Sequence, residues 1–391
     1  MTLPEGQTEL LITVCTALCL VWTAILYTAC SFGRALRASA RHRKNDTSLP
    51  PLSVVITAHN QGKQLSRNLP ILLQQHYPDY EVIVVNDHSN DNTEDVLKQL
   101  ELRYPQLRHT FTPSSTRYIS PKRLALTVGI RSAIHEWVVL TDADCRPASP
   151  HWLSRLTESI IGRTDIVLGY VNYRMPPHYP KGRRMIIFRL YHQLLNLNRA
   201  VRHTVYKAEA GNIAFRKALF MENRGFADHQ HLLAGAEELF VNHTSVTGNT
   251  AVASAPEAAV IQEWPTAPRL WEQDRMYYME TRKHLRHKRA FRWAYDCKLL
   301  VPYIALAAVG AGCLTDMILP WPGGSIASVL LYLIYMTIQH HTFHRSARLL
   351  GETRSFHLLL PFFQIALPFW QAASRLRHLR MPHSTFLKKN L

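Results

Sequence analysis

The sequence predicts an α/β protein: a mostly parallel sheet flanked by helices, with one transmembrane helix before it and a membrane-helix region after it. Three observations carry this expectation. Between residues 52 and 144, short apolar runs rich in β-branched residues alternate with helical patterns, as in parallel βαβ units. Three of these runs end in polar or acidic residues, where an open parallel sheet presents its ligand site. Long uncharged apolar segments lie toward the two ends of the chain instead.

Leu10 to Gly33 contains no Asp, Glu, Lys or Arg. At about 1.5 Å per helical residue it crosses a hydrocarbon layer about 30 Å thick. A cleaved signal peptide is the rival reading, but the preceding residues carry Glu5 and Glu9 and no base, which favours a retained anchor over 1–33. A basic linker follows over 34–51, with Arg34, Arg37, Arg41, Arg43 and Lys44. The positive-inside rule then puts the domain over 52–292 in the cytoplasm. Residues 293–391 read as a C-terminal membrane region: spans at Leu299–Thr315 and Ser325 to about His344, a re-entrant or interfacial stretch at Ser355–Ser374, and a basic tail. The expected location is the cytoplasmic (inner) membrane, multi-pass. A net charge of +17 fits a nucleic-acid binder, yet the bases lie mostly beside apolar segments. Membrane lipids account for them, and no nucleic acid is expected. The six cysteines form no Cys-X-X-Cys pair and read as reduced.

Within the middle domain, Leu52–Asn60 is a strand, followed by a helix from Gly62 to about Gln75. Glu81–Asp87 is a second strand; Asn90 or Asp91 caps the next helix, which runs to Leu102. Arg103–Ser120 is polar and irregular, and Lys122–Ile134 is again helical. Glu136–Asp144 is the third strand, with alternation putting Asp142 and Asp144 on one side. Paired carboxylates at a strand end suit a hard divalent ion, Mg²⁺ or Mn²⁺, that also takes substrate phosphates. Taken alone, an Asp-X-Asp after a strand is more often a turn or helix-cap device than a metal site, and Asp87 alone reads as an Asx-turn residue. The convergence of three polar strand ends favours a nucleotide-phosphate site. Beyond it come a helix at Trp152–Ile161, a strand at Asp165–Tyr173, a basic loop at Pro176–Arg184, and an amphipathic stretch at Met185–Arg202 placed near membrane or acceptor.

Over about residues 50 to 290 these features resemble the family-2 glycosyltransferases of GT-A fold, integral-membrane type. Ala58-His59-Asn60 matches the family's first turn, and Val85 to Thr93 matches its Val-Asp-Asp-X-Ser-X-Asp-X-Thr pattern with Asn86 in place of the first acid. The resemblance implies that a nucleotide-diphosphate sugar, UDP-sugar foremost, contacts Thr57, Ala58, Asn60, Asp87, Lys122, Asp142, and the turn residues Gly211 and Asn212. It makes Asp144, with Asp142, the metal ligand. Gly235-Ala236-Glu237-Glu238-Leu239 is similar to the acid segment that supplies the family's catalytic base, which falls on Glu237 with Glu238 as second choice. The Gln-X-X-Arg-Trp of the family's polymer synthases is not intact; Trp271, Gln273 and Arg275 supply its residue types in another order, as an acceptor or diphosphate region. The implied activity is inverting transfer of a sugar to the hydroxyl of a lipid-linked or glycan acceptor, in cell-envelope glycan or glycolipid synthesis. A processive polysaccharide synthase and a catalytically inactive membrane scaffold stay open as alternatives.

Overall fold

The computed structural model describes residues 5–41, 49–113, 120–174, 182–263, 268–286, 288–318, 323–356, 359–382 and 385–386. The chain divides into two compact units. One comprises residues 35–288 with 347–353 and 373–391; the other comprises 1–34, 289–346 and 354–372.

In chain order the helices and strands are α1 (Glu5–Ser31), α2 (Arg34–Arg41), β1 (Leu52–Ala58), α3 (Gly62–Leu72), β2 (Tyr80–Asn86), α4 (Thr93–Glu101), β3 (Leu107–Phe111), α5 (Pro121–Ser132), β4 (Trp137–Asp142) and β5 (Cys145–Pro147). They continue as α6 (Trp152–Thr157), β6 (Ile166–Gly169), β7 (Val171–Arg174), α7 (Gly182–Ala200), β8 (Ile213–Arg216), α8 (Lys217–Glu222), α9 (Ala236–Thr244), β9 (Thr250–Ala253), β10 (Val260–Glu263), α10 (Pro268–Thr281), α11 (Lys288–Ile318), α12 (Gly323–Leu349) and α13 (Leu359–Leu379).

The larger unit is built on a seven-stranded sheet of order β3-β2-β1-β4-β8-β6-β9. β3, β2, β1 and β4 run parallel, β8 is antiparallel to both β4 and β6, and β6 pairs parallel with β9. All of β1 and most of β2 and β4 are buried, as continuous apolar runs covered on both faces should be. α5 lies close on the sheet because Gly129 has no side chain there: a Cβ would come within 2.4 Å of Val55 Cγ1 and 3.0 Å of Val85 Cγ2. β5, β10 and β7 form a separate three-stranded sheet.

Several sequence expectations change. The Arg103–Ser120 stretch contains β3, an edge strand whose short, mostly polar run buries Leu107 fully but little else, so periodicity could not announce it. Asp165–Tyr173 is two strands in two different sheets, broken at Tyr170. β4 stops at Asp142, and a turn, not strand alternation, brings Asp144 back beside it. The basic stretch at Pro176–Arg184 lies mostly outside the described residues, and Gly182–Arg184 opens α7. α7 is no simple amphipathic helix: Met185, Ile186, Ile187, Tyr191, Gln193, Leu194 and Asn196 are all buried, so it packs within the domain on several faces. The start of the expected linker forms α2, where Asn198 Oδ1 accepts the Ala35 and Leu36 amides (2.9 and 3.2 Å).

The smaller unit holds α1 with most of α11, α12 and α13, and α1, α11 and α12 pack around Trp22, Ile25, Ala29, Ala305, Ala308 and Tyr335. Among the described residues two helical segments, Ile12–Ser31 and Trp293–Met317, are long and apolar enough to cross a membrane. The expected span at Ser325–His344 forms α12 but is not one of them. Ser355–Ser374 falls largely in α13, which continues through Pro368.

Candidate active site

The site forms where the strand order reverses, between the carboxyl ends of β1 and β4. A cleft of about 310 Å³ opens there, lined by Thr57, Ala58, His59, Gln61, Asp87, Lys122, Asp142, Asp144 and Gln262. Five of the residues assigned to the nucleotide sugar, Thr57, Ala58, Asp87, Lys122 and Asp142, share this one wall system with Asp144.

The loops after β1 and β2 hold each other in place. The Asp87 amide donates to Ala58 O (2.8 Å), and His59 Nδ1 meets Asp87 O at 2.5 Å. Asn60, at φ 54°, donates its amide to Ser89 Oγ (2.9 Å) and accepts the Asn90 amide on Oδ1 (2.7 Å). Asn60 thus fastens the two loops rather than lining the cleft. Asp91 accepts the Gly62 and Thr93 amides, capping α3 and α4 together. Asp87 keeps an oxygen toward Thr112 Oγ1, which donates to it at 2.9 Å.

On the other side, Gln262 Nε2 donates to both oxygens of Asp144, 3.0 Å each. Burial, then the neighbouring Asp142 carboxylate, pushes the Asp144 carboxyl up to about 6. Two carboxylates this close in a half-buried cleft are a donor set of the kind that a hard divalent cation takes. Ligand atoms of Asp142, Asp144 and Cys145 lie within 4.8 Å of one another. The carboxylates fit a hard divalent ion; the Cys145 thiol belongs to the apolar core, and burial drives its pKa well upward.

Lys122 joins the two halves of the site. Its Nζ lies 3.0 Å from Asp142 Oδ1 and 3.0 Å from Glu237 Oε1. Burial opposes its charge, but the two carboxylates outweigh that and raise its pKa, so it stays protonated. Glu237 sits in the first turn of α9, which begins at Gly235 with φ 77°. A Cβ at Gly235 would strike Thr281 at 2.3 Å, so glycine is required both for the turn and for the close approach.

Glu238 faces elsewhere. It is buried, and burial raises its pKa to about 8 despite Lys207. Lys207 is already 3.4 Å from Glu209 Oε1, and Arg189 Nη1 and Tyr173 Oη are 3.0 and 2.9 Å from Glu209 Oε2. Arg189 also pairs with Asp274.

Asn212 does not face the cleft. It is fully buried, with Nδ2 donating to Tyr170 O (3.0 Å) and Ala258 O (2.9 Å) and Oδ1 accepting from Trp152 Nε1 (3.2 Å). Its neighbour Gly211 lets the chain pass Asp142 and Cys145, where a Cβ would come 2.9 Å from Cys145 Sγ. Trp271 and Arg275 share one face of α10: the Arg275 guanidinium lies 4.7 Å from the Trp271 ring and 4.8 Å from the Phe188 ring. Gln273 is exposed two residues away and donates to Tyr277 Oη, so the three do not form one surface. Gln262 and Arg123 escaped sequence reasoning, because each reaches its partner across more than a hundred residues.

Residues 53–223 match the family model described as Glycosyl transferase family 2. Glycosyltransferase AglE of Haloferax volcanii is 30% identical over 135 residues, 33% of this chain and 42% of that protein. The poly-beta-1,6-N-acetyl-D-glucosamine synthase of Staphylococcus epidermidis is 27% identical over 113 residues, 29% of this chain and 25% of that protein. The chain therefore spans less than half the length of these curated relatives. A mannosyltransferase from Pyrobaculum calidifontis, solved with GDP-Man and Mn²⁺, shares the fold at TM-score 0.52 and 16% identity, covering 93% of this chain and 98% of that one.

Proposed function

We propose, for a chain that carries a family-2 glycosyltransferase domain of GT-A fold, inverting transfer of a sugar from a nucleoside-diphosphate sugar to an acceptor hydroxyl. The single observation that supports this reading best is Lys122, whose ammonium lies 3.0 Å from both Asp142 and Glu237 and so ties a strand-end acid to a helix-start acid 95 positions along the chain.

In this reading Thr57, Ala58 and Asp87 receive the nucleoside, and Asp142 with Asp144 holds Mg²⁺ or Mn²⁺. The cation supplies Lewis-acid neutralisation of the departing diphosphate. Gln262 orients Asp144, and Lys122 adds a fixed positive charge beside the same phosphates. Glu237 takes the proton of the acceptor hydroxyl as that oxygen attacks the anomeric carbon from the face opposite the diphosphate. The carbon–oxygen bond to the diphosphate breaks as the new one forms, so configuration inverts in one displacement.

The apolar segments Ile12–Ser31 and Trp293–Met317 support membrane attachment, and Arg34 and Arg37 after the first support a cytoplasmic catalytic domain. A lipid-linked or glycan acceptor belongs to the same proposal. The test is a panel of sugar nucleotides offered to the purified full-length protein with and without Mg²⁺ or Mn²⁺. Metal-dependent hydrolysis or transfer from one donor is expected; inertness toward the whole panel would sink the reading and favour an inactive scaffold. Long polymeric products would point instead to the processive alternative.

A further inference from the structure

The three residues that lead into the base-bearing turn are gripped from several directions. Arg123 Nε donates to Leu232 O at 3.1 Å, and Nη2 donates to Ala234 O at 2.8 Å. Between them, Ser120 Oγ donates to Leu233 O at 3.3 Å, and the Leu233 amide donates to Phe386 O at 3.2 Å. Phe386 is itself buried, its ring stacked on His378 at 4.9 Å and edge-on to Tyr277 at 6.0 Å. Leu232 to Ala234 are thus held along both backbone edges, immediately before Gly235 and Glu237.

Arg123 is an unusual residue to find there. Only 2% of it is exposed, and its hydrogen bonds go to neutral carbonyls. Burying a guanidinium in this way is expensive, and an apolar side chain would fill the same space more cheaply. What an apolar side chain lacks is the rigid planar fork that can span carbonyls two residues apart. Arg123 also follows Lys122 directly at the start of α5. One helix start therefore carries the cation that touches Glu237 and the fork that holds the loop delivering it.

We propose that Arg123, with Phe386 opposite it, is the positioning residue for Glu237, setting where the base stands relative to Lys122 and the cleft. This rests on the reading of Glu237 as the base. A shift of the base by about 1 Å is enough to cost about 100-fold in rate.

The experiment uses the full-length protein with Arg123→Ala, Arg123→Lys, Phe386→Ala and, as a control, Glu237→Gln. Transfer kinetics and hydrogen exchange over residues 230–240 are read in each. Arg123→Ala is expected to lower kcat about 100-fold with the donor KM unchanged, and to speed exchange of the Leu233 amide. Added guanidinium restores both in Arg123→Ala and restores nothing in Glu237→Gln. Arg123→Lys stays impaired, because an ammonium cannot bridge two carbonyls in a fixed plane. Phe386→Ala shows a smaller loss of the same kind. Wild-type kcat and wild-type exchange in Arg123→Ala overturn the proposal, as does faster exchange through the whole domain without guanidinium rescue, which marks a purely structural residue. If the unmodified protein transfers no sugar, the glycosyltransfer reading falls, while the exchange data still decide whether the clamp exists.

Discussion

Glu237 and Glu238 are adjacent in the first turn of α9, carry the same side chain, and meet opposite surroundings. Glu237 ends 3.0 Å from Lys122, whose other partner, Asp142, lines the cleft. Glu238, rotated by one helical step, enters a buried polar network whose cations are already engaged: Lys207 with Glu209 and the Tyr278 ring, Arg189 with Glu209, Tyr173 and Asp274. Its Oε1 has no hydrogen-bond partner among the described residues, and its pKa rises to about 8. Glu237 is paired with Lys122 beside the cleft, whereas burial favours the protonated form of Glu238 in the interior. A helix turn of about 100° per residue separates a candidate base from a buried acid, and chemistry needs reach before it needs pKa.

The largest expected effect tests the cleft side. Asp144→Ala should lower transfer about 1,000-fold, read as initial rate at saturating donor and metal. Full activity in that variant would remove Asp144 from the metal site. Next comes the comparison itself: Glu237→Gln should cost about 100- to 10,000-fold in kcat, whereas Glu238→Gln should leave kcat nearly unchanged. A reversed ranking in the same assay would move the base to Glu238.

Stability gives a third measure, with a definite sign. The Glu238 carboxyl titrates at about 8 in the folded protein against 4.5 ordinarily. Between those values the unfolded chain has released a proton that the folded chain still binds. Stability contributed by this group therefore falls as pH rises from 4.5 to 8 and levels off above 8. Thermal midpoints at pH 5 and pH 8 should differ more in the unmodified protein than in Glu238→Gln, which has no proton to lose. The smallest effect is confined to packing under the site. Gly129→Ala should destabilise by about 1–3 kcal/mol, because the added methyl meets Val55 and Val85; an unchanged midpoint would mean α5 can lift off the sheet at little cost.

The difference between the two halves of the site also explains what was legible beforehand. Asp87 and Asp142 end apolar strand runs, so local pattern puts both at one end of the sheet, whereas Lys122 opens a helix between them and draws its role only from the family resemblance. β3 leaves no apolar pattern in the sequence, because this edge strand buries only Leu107. Asp165–Tyr173 reads as one strand because the break at Tyr170 leaves hydropathy uninterrupted, although the two pieces pair in different sheets. Asn212 stands in the expected turn, yet three buried hydrogen bonds make it a structural fastener, a role that a Gly-Asn dipeptide does not disclose.

From sequence alone came the α/β class, the apolar segments and the carboxylates at the strand ends, since hydrophobic period and strand-end chemistry act over a few residues at a time. Tertiary structure alone decided that Gln262 orients Asp144 across 118 residues, that Arg123 grips the Leu232–Ala234 loop, and that Glu237 rather than Glu238 meets Lys122. Those outcomes depend on the rotation of α9 and the seating of distant elements against one another, and packing of the whole domain sets both.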